Sequence, residues 1–336
     1  MRHLQALITP VYAAFALVAS SAAAQEPVVR EGRVPASDHR SPLSTVGREP
    51  SGAALGAEAQ RFIDAARAAS ARYLDPSAAL RAGYRRVGPD FPGMGEHWVH
   101  LGRLMGPRLD PAQPAILSYT RRAGRSALVG VAFAVPLGPD ESPPAFPFGP
   151  EVWHDHTGAV DEELLLIAHP SSMHGPSSGH RLAVVHVWTG VNNPAGILAQ
   201  NNWALPFWRA QVAPPARPAP RAARALALAH DAGAYQRALI RRAAELSPAE
   251  ADAVDAALDE ASRVASRVLV RLVTPIPQAP ASPARRGGDV RAAVEAGPQE
   301  ADVDALASVW DALWQAIQGG VRPEVWSALA PLAGID

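Results

Sequence analysis

The sequence predicts an α+β protein: a mainly β histidine-bearing core with an N-terminal helical lead-in and a helical C-terminal region. Three observations favour this fold class. Apolar residues recur at helical spacing soon after residue 56 and again beyond residue 221. Between these stretches, short apolar runs bounded by Gly, Pro and Asn are typical of strands. Most of the histidines fall in that strand-rich middle, which makes it the candidate for function.

Composition narrows the class of protein. The 336 residues are 48% apolar, which is enough to build a core and excludes a globally disordered chain. The formal net charge of -1 gives no electrostatic case for nucleic acid or an anionic membrane. Because the chain has no cysteine, a transition-metal site must use imidazole and carboxylate groups, with Met94 or Met173 as soft additions.

Residues 1–24 have the pattern of a secretory signal peptide. A basic start precedes a short apolar run from Leu7 to Val18, and Ala22-Ala23-Ala24 supplies the cleavage pattern. The apolar run is too short to span a membrane, and no later stretch is apolar enough. We therefore expect a periplasmic or secreted protein, cleaved after Ala24, that continues with a flexible segment over residues 25–55.

A histidine-rich α+β domain is predicted over residues 56–212, and helices open it. One apolar face recurs at i, i+3, i+4 and i+7, which predicts the burial of Phe62, Ala65, Ala66 and Ala69. Asp75-Pro76 interrupts this pattern. Pro76 then begins a second, shorter helix that ends near Gly83.

Strands follow in the middle of this domain. Ile116–Thr120 and Ser126–Pro136 are predicted strands joined by a hairpin turn, and Trp153–His156 is expected on a short strand or at a sheet edge. Leu182–Trp188 is a further strand. Its alternation places four side chains on one face: Leu182, Val184, His186 and Trp188.

The C-terminal part is predicted to be helical and interrupted by linkers. A linker over residues 213–220 precedes a helical region over 221–273, and a second linker over 274–298 precedes a C-terminal helix within 299–336.

The helices of this part are predicted from their caps and apolar stripes. Arg221–Leu246 is one helix, and a capping box at Ser247 begins another that runs to about Val273. Its expected buried face holds Val254, Leu258, Ala261 and Ala265. Asp302–Gln318 carries the stripe Leu306, Val309, Trp310, Leu313 and Ile317, which needs a docking surface on this chain or on another.

Histidine crowding is the feature that carries chemistry. Eight of the eleven histidines lie between His97 and His186. Residues i and i+2 of a strand point to the same side, so His154 and His156 can reach one metal ion. His186 supplies a third nitrogen, and His97 or Glu96 a fourth ligand.

The predicted ligand set is therefore His97, His154, His156 and His186, and it suits zinc, copper or iron. Asp155 points the opposite way and is a better partner for a ligand than a ligand itself. The competing interpretation is that these are half-buried core histidines, each with one ring nitrogen bonded to the backbone. A loop position is expected for His169, His174 and His180.

Three functions stay open at this point. The first is a metal-binding protein. The second is a metal-dependent hydrolase or oxygenase with Glu96 or Asp155 as base. The third is an assembly protein, a homo-oligomer or one with a protein partner, acting through the C-terminal helix. The sequence lacks a Gly-x-Ser-x-Gly elbow and phosphate-binding loops. Its acidic residues leave a paired-carboxylate glycosidase open, but nothing singles out a pair.

The histidine motifs also resemble those of a family of exported, mostly uncharacterised bacterial proteins. The resemblance rests on Met94-Gly95-Glu96-His97-Trp98, Trp153-His154-Asp155-His156, His186-Val187-Trp188 and Asn193-Pro194-Ala195-Gly196, and it covers about residues 60 to 210. It implies a compact secreted domain with clustered histidines and no named activity. Similar proteins carry a cysteine shortly after the Trp-His-x-His motif, where this chain has Thr157-Gly158-Ala159.

The cupin pattern is the second comparison, because cupins also combine His-x-His, a later glutamate and a Pro-x-Gly turn. Here these elements are His154-Asp155-His156, Glu162 and Pro194-Ala195-Gly196. The spacings differ from the cupin pattern, and no histidine follows Gly196 where that pattern has one, so the cupin is the weaker comparison.

Overall fold

The computed structural model describes residues 55–104, 109–138, 141–144, 147–149, 152–156, 181–273 and 300–334. The predicted signal peptide, nearly all of the flexible segment, the loop that holds His169, His174 and His180, and the second linker lie outside these ranges. The described residues confirm the α+β fold. An antiparallel sheet occupies the middle of the sequence, and helices precede and follow it.

Helices and strands are largely separate along the chain, because the strands are grouped in its middle part. The helices are α1 Ala57–Ser70, α2 Pro76–Arg81, α3 Leu101–Leu104, α4 Leu205–Arg209, α5 Pro220–Asp231, α6 Ala234–Ala243, α7 Pro248–Val273, α8 Glu300–Gly320 and α9 Pro323–Ala333, with a 3-10 turn at Ala71–Tyr73. The strands are β1 Arg85–Phe91, β2 Gly95–Val99, β3 Ile116–Arg122, β4 Arg125–Leu137, β5 His154–His156 and β6 Arg181–Val187.

The first two helices begin where the sequence predicts, but the buried face of α1 is rotated. Phe62 and Ala66 are buried as expected, together with Ala59, Ile63 and Ser70, whereas Ala65 is exposed. An alanine-rich helix defines its apolar face poorly, because a small side chain gains little free energy on either side. The larger Phe62 and Ile63 therefore set the orientation.

Six strands form one sheet in the order β1-β2-β3-β4-β6-β5, and every neighbouring pair is antiparallel. The hairpin between β3 and β4 turns at Ala123 and Gly124, both with positive φ. β5 is an edge strand of three residues. The predicted strands, the hairpin and the edge position of the His-x-His motif are thus confirmed.

The two faces of the sheet pack against different elements. One face carries Tyr119, Phe133 and Val185 in a core shared with Phe62 of α1. The opposite face carries Ile116 and Val184 in a smaller core. Leu104 of α3 closes part of that second face.

The C-terminal helices build a core of their own. The predicted buried residues of α7 (Val254, Leu258, Ala261 and Ala265) and the whole predicted stripe of α8 are buried there. Trp310 Nε1 also donates a hydrogen bond to the Ala333 carbonyl of α9, 3.1 Å away. The stripe is therefore covered by this chain itself, and it offers no surface for another chain.

One predicted helix, Arg221–Leu246, is in fact two. The break falls at Ala232 and Gly233, which have φ angles of 53° and 73°. The Asp231 carboxylate accepts hydrogen bonds from the backbone N–H groups of Gly233 and Tyr235, at 2.9 and 3.0 Å, and so holds the start of α6. A helix commonly ends at a residue in this left-handed conformation, and glycine adopts it without cost.

The helical region also lies against the sheet. Phe91 of β1 contacts Tyr235 of α6 edge-on, with ring centroids 5.7 Å apart. Arg209 of α4 donates a 2.6 Å hydrogen bond to Asp90. Within the described ranges, no helix is both long and apolar enough to cross a membrane.

Glu250 links the start of α7 to the start of α9 through several hydrogen bonds. The predicted capping box is present, since Ser247 N donates to Glu250 Oε2 at 2.9 Å and Glu250 N to Ser247 Oγ at 3.4 Å. Arg322, just before α9, donates to Glu250 Oε1 from both its backbone N and its Nε, at 2.9 Å each. The Arg322 side chain, together with Ser247, holds the pKa of Glu250 well below its usual range.

We expect Glu250→Ala to lower the melting temperature by several degrees at pH 7, because both the cap of α7 and its link to α9 are lost. A carboxyl group with a lowered pKa contributes stability above its unfolded pKa of about 4.3, and this contribution is lost as the pH falls. The difference in melting temperature between wild type and Glu250→Ala should therefore become smaller as the pH falls.

Glu260→Ala is the matched control. It lies on the same helix and pairs with Arg263, and both side chains are more than half exposed. Calorimetry of the two variants between pH 7 and pH 3 tests the expectation. If both variants lower the melting temperature by the same amount at every pH, the role assigned to Glu250 is contradicted.

Candidate metal centre

The sheet register places all four predicted histidine ligands on one face. His97 pairs with Ser118 between β2 and β3, and His186 pairs with Ala132 between β4 and β6. His154 and His156 of β5 stand opposite Val184 and Leu182 of β6. Directly opposed residues of antiparallel strands share a face, and so do residues i and i+2. We call this the histidine face. The side chain of His156 lies outside the described set, so only its backbone position is known.

Three imidazole rings meet on this face, and we call them the histidine cluster. The ring centroids of His97 and His186 are 5.7 Å apart, and those of His154 and His186 are 5.2 Å apart. His97 and His186 are each only 3% exposed. Aromatic rings border the cluster, with Phe91 5.2 Å from His97 and Trp188 6.3 Å from His186.

The close approach of His97 and His186 depends on small residues between them. β3 and β4 separate their strands, a span of about 14 Å at the usual spacing of neighbouring strands. The residues beneath the two rings are Ser118, Gly130 and Ala132, which we call the small-residue floor. At Gly130 an added Cβ would come 3.1 Å from the Val187 carbonyl oxygen. The ring centroids of His97 and His186 are nevertheless only 5.7 Å apart, so the two rings extend toward each other across β3 and β4.

The spacing of the rings suits a shared metal ion better than their orientation does. Two imidazoles on one tetrahedral zinc, with Zn–N bonds of about 2.0–2.1 Å, place their centroids roughly 5 Å apart. The planes of His154 and His186 are only 22° apart, however, and those of His97 and His186 are 42° apart. Among the described residues, no three side chains of His, Asp or Glu form a group that could hold a metal as they stand.

The other described histidines have structural surroundings. His100 packs 5.3 Å from the Tyr84 ring and beneath Gly83, and burial lowers its pKa. His230 lies 3.2 Å from the Pro206 carbonyl oxygen, and burial lowers its pKa as well. Neither joins the histidine cluster.

Glu96, the alternative fourth ligand and candidate base, lies on the opposite face of the sheet. It stands opposite Tyr119, and its carboxylate is 3.2 Å from Arg86 and accepts a 3.4 Å hydrogen bond from Trp98 Nε1. Because neighbouring residues of a strand point to opposite sides, Glu96 cannot face the cluster that His97 joins. The expectation of Glu96 as a ligand is therefore wrong.

A surface cavity of about 320 Å³ lies beside the cluster. Trp188, Thr189, Asn192 and Arg67 contribute to its lining. Trp188 also lies beside His186, with ring centroids 6.3 Å apart and 20° between the ring planes.

Sequence reasoning missed the polar residues of β3. Ser118 and Thr120 lie two residues apart, are 1% and 0% exposed, and share the histidine face. The signal was present in Ile116-Leu117-Ser118-Tyr119-Thr120, where two hydroxyl groups alternate with large apolar residues in a predicted buried strand.

No protein-family model, curated protein or solved structure matches this chain. The fold and the register therefore carry the description of the site. The resemblance to an exported bacterial family stays a prediction that rests on its motifs.

Asp90 of β1 is a partly buried acid on the same face of the sheet as Glu96. It stands opposite Glu96, just after an irregularity in the pairing of β1 with β2. Burial raises the pKa of Asp90 to about 6, and the neighbouring Arg209 opposes this shift only in part.

The raised pKa of Asp90 predicts that the protein becomes less stable as this carboxyl group loses its proton. Between about pH 4 and pH 6 the folded state keeps a proton that the unfolded state releases, so the free energy of unfolding falls as the pH rises through this window. We expect this fall in the free energy of unfolding to be on the order of 1–3 kcal/mol in wild type and to be absent in Asp90→Asn.

Urea unfolding at several pH values between 4 and 7 measures the difference between wild type and Asp90→Asn. The control is Asp64→Asn, an exposed carboxylate on α1 hydrogen-bonded to Gln60. A wild-type minus Asp90→Asn difference that stays constant with pH would contradict the assignment.

Proposed function

We propose that this chain is an exported protein that binds a divalent transition metal ion through His97, His154, His156 and His186. The observation that carries the proposal is the approach of three imidazoles, from three different strands, over the small-residue floor. Imidazole suits zinc, copper and iron, and the chain has no cysteine thiolate to compete as a ligand.

The distances support a shared ion once the rings turn. The centroid separations of 5.2 and 5.7 Å are close to the roughly 5 Å expected for two imidazoles on one ion. Binding a shared ion requires the rings of His154 and His186 to turn about their side-chain torsions, so that one nitrogen of each points to the ion.

His156 completes the proposed ligand set. It lies two residues after His154 on the edge strand, and the register puts it on the histidine face opposite Leu182. Three or four imidazoles are the usual ligand number for a nitrogen-only metal site. The competing interpretation is a set of stacked core histidines that needs no ion.

The metal-dependent hydrolase or oxygenase predicted from the sequence would use Glu96 or Asp155 as its base. Glu96 does not face the cluster, because it points to the other side of β2. Metal binding without an assigned reaction is therefore the function that the geometry supports best.

The decisive measurement is elemental analysis of the exported, untagged protein. We expect one zinc, copper or iron ion per chain, and an affinity that falls about tenfold or more in His154→Ala and in His186→Ala. Isothermal titration of the metal-free protein gives the affinities, and the metal should raise the melting temperature of wild type more than that of these two variants.

His230→Ala is the matched control, since His230 is a half-buried histidine of the helical region that lies against the Pro206 carbonyl oxygen and not in the cluster. It should keep the metal content of wild type even if its melting temperature falls. A wild-type protein that neither contains nor takes up metal would show that the cluster is core structure.

Export is tested separately. We expect the mature protein to begin at Gln25, because the Ala22-Ala23-Ala24 pattern precedes it. Intact-mass spectrometry of the periplasmic or secreted fraction checks this. Removal of residues 2–24 should keep the protein in the cytoplasm, and unchanged export of that variant would contradict the assignment.

A further inference from the structure

The surface cavity of about 320 Å³, which we call the Arg67 cavity, has walls from two parts of the chain. Arg67 near the end of α1 supplies one wall, and residues 188–193, which follow β6, supply most of the other. Ser70 Oγ of α1 lies 3.5 Å from Thr189 Oγ1, so the two walls are joined through a residue that lines the cavity. Small-molecule sites in proteins are usually concave and occupy roughly 300–1,000 Å³, and this cavity lies at the lower end of that range.

The wall after β6 is held in place by hydrogen bonds. Gly190 N donates to the Val129 carbonyl oxygen of β4 at 3.0 Å. A Cβ at Gly190 would clash with the Leu128 carbonyl oxygen, so the wall lies directly against β4. The Asn202 side chain donates to the Asn192 carbonyl oxygen at 3.1 Å. A wall that is already ordered lowers the entropy cost of binding a small molecule.

The lining of the Arg67 cavity combines one positive charge with polar and apolar residues. The polar residues include Arg67, Thr189 and Asn192. The apolar residues include Trp188 and Ile197. Among the described lining residues there is no Asp or Glu. The charge of the lining therefore favours an anion, and its apolar residues favour an anion that also carries an apolar body.

Arg67 has hydrogen-bond donors for such an anion. Its Nη1 lies 3.4 Å from Asp64 Oδ1, and the two side chains are 50% and 57% exposed. An ion pair this exposed is weak, because water and salt screen it. The contact involves one nitrogen of the guanidinium, whose several N–H donors form a planar fork that matches a carboxylate. The pair with Asp64 therefore does not prevent Arg67 from binding a second carboxylate.

We propose that the Arg67 cavity binds a small organic carboxylate with an apolar body, and that Arg67 donates hydrogen bonds to its carboxylate group. The body lies against Trp188 and Ile197, which an inorganic anion would leave in contact with water. A volume of about 320 Å³ equals that of roughly ten water molecules in the liquid, so the ligand has on the order of ten non-hydrogen atoms. This inference is independent of the proposed metal binding, because the described lining residues include no histidine.

The test is a titration of the full-length mature protein with benzoate, measured by calorimetry and by two-dimensional NMR of the backbone amides. We expect a dissociation constant of about 1 mM or lower, with signal changes concentrated in residues 188–193. Benzamide has the same ring without the charge, and inorganic phosphate has charge without the ring. Both should bind about tenfold more weakly than benzoate or less tightly still. A metal chelator should leave the affinity for benzoate unchanged.

Arg67→Ala should weaken benzoate binding about tenfold, because a charge-assisted contact is lost, and should not change the affinity for benzamide. Arg61→Ala is the matched control and should bind benzoate like wild type. Arg61 lies on the same helix, forms an exposed ion pair with Glu58 at the same spacing, and is not among the lining residues. Both variants should fold, because both arginine side chains are at least half exposed.

Several results would overturn the inference. One is a wild-type protein that does not bind benzoate at millimolar concentrations. Another is an Arg67→Ala variant that binds benzoate as tightly as wild type does. Benzamide or phosphate binding as tight as that of benzoate would refute the proposed ligand class, and signal changes confined to residues outside the two walls would refute the location.

Discussion

The alternation of side chains along antiparallel strands is the constraint on which this structure depends. It sends His97 to one face of the sheet and its neighbours Glu96 and Trp98 to the other. The face with Trp98 joins the core built with α1, and the opposite face collects the histidines. The alternation therefore separates the apolar core with α1 from the histidine cluster. It also keeps Glu96, the acid next to His97 in the sequence, away from that cluster.

Close packing then turns a shared face into a cluster. Protein interiors leave few voids, so space above small side chains in central strands is filled by large side chains from outer ones. Ser118, Gly130 and Ala132 occupy β3 and β4, and the rings of His97 and His186 lean inward above them. The same floor carries the buried hydroxyl group of Ser118.

Local signals predicted much of the fold. The hairpin at Gly124, the capping box at Ser247 and the apolar stripe of α8 each depend on residues within a few positions of one another. The predictions failed where local signals were weak or competing. Alanines defined the face of α1 poorly, and the left-handed pair Ala232 and Gly233 split a continuous helical pattern into two helices. The sequence alone could have excluded Glu96 as a ligand beside His97, because neighbouring residues of a strand point to opposite sides of the sheet.

The sequence by itself determined which residues alternate, where helices begin and which histidines of one strand share a side, since these depend on backbone periodicity alone. Only the tertiary structure decided that β2, β5 and β6 bring their histidines together, because strand order depends on contacts between residues far apart in the chain. It also decided that α8 buries its stripe against α5, α7 and α9 of its own chain. An apolar face specifies that it must be covered, but only the packed molecule specifies by what.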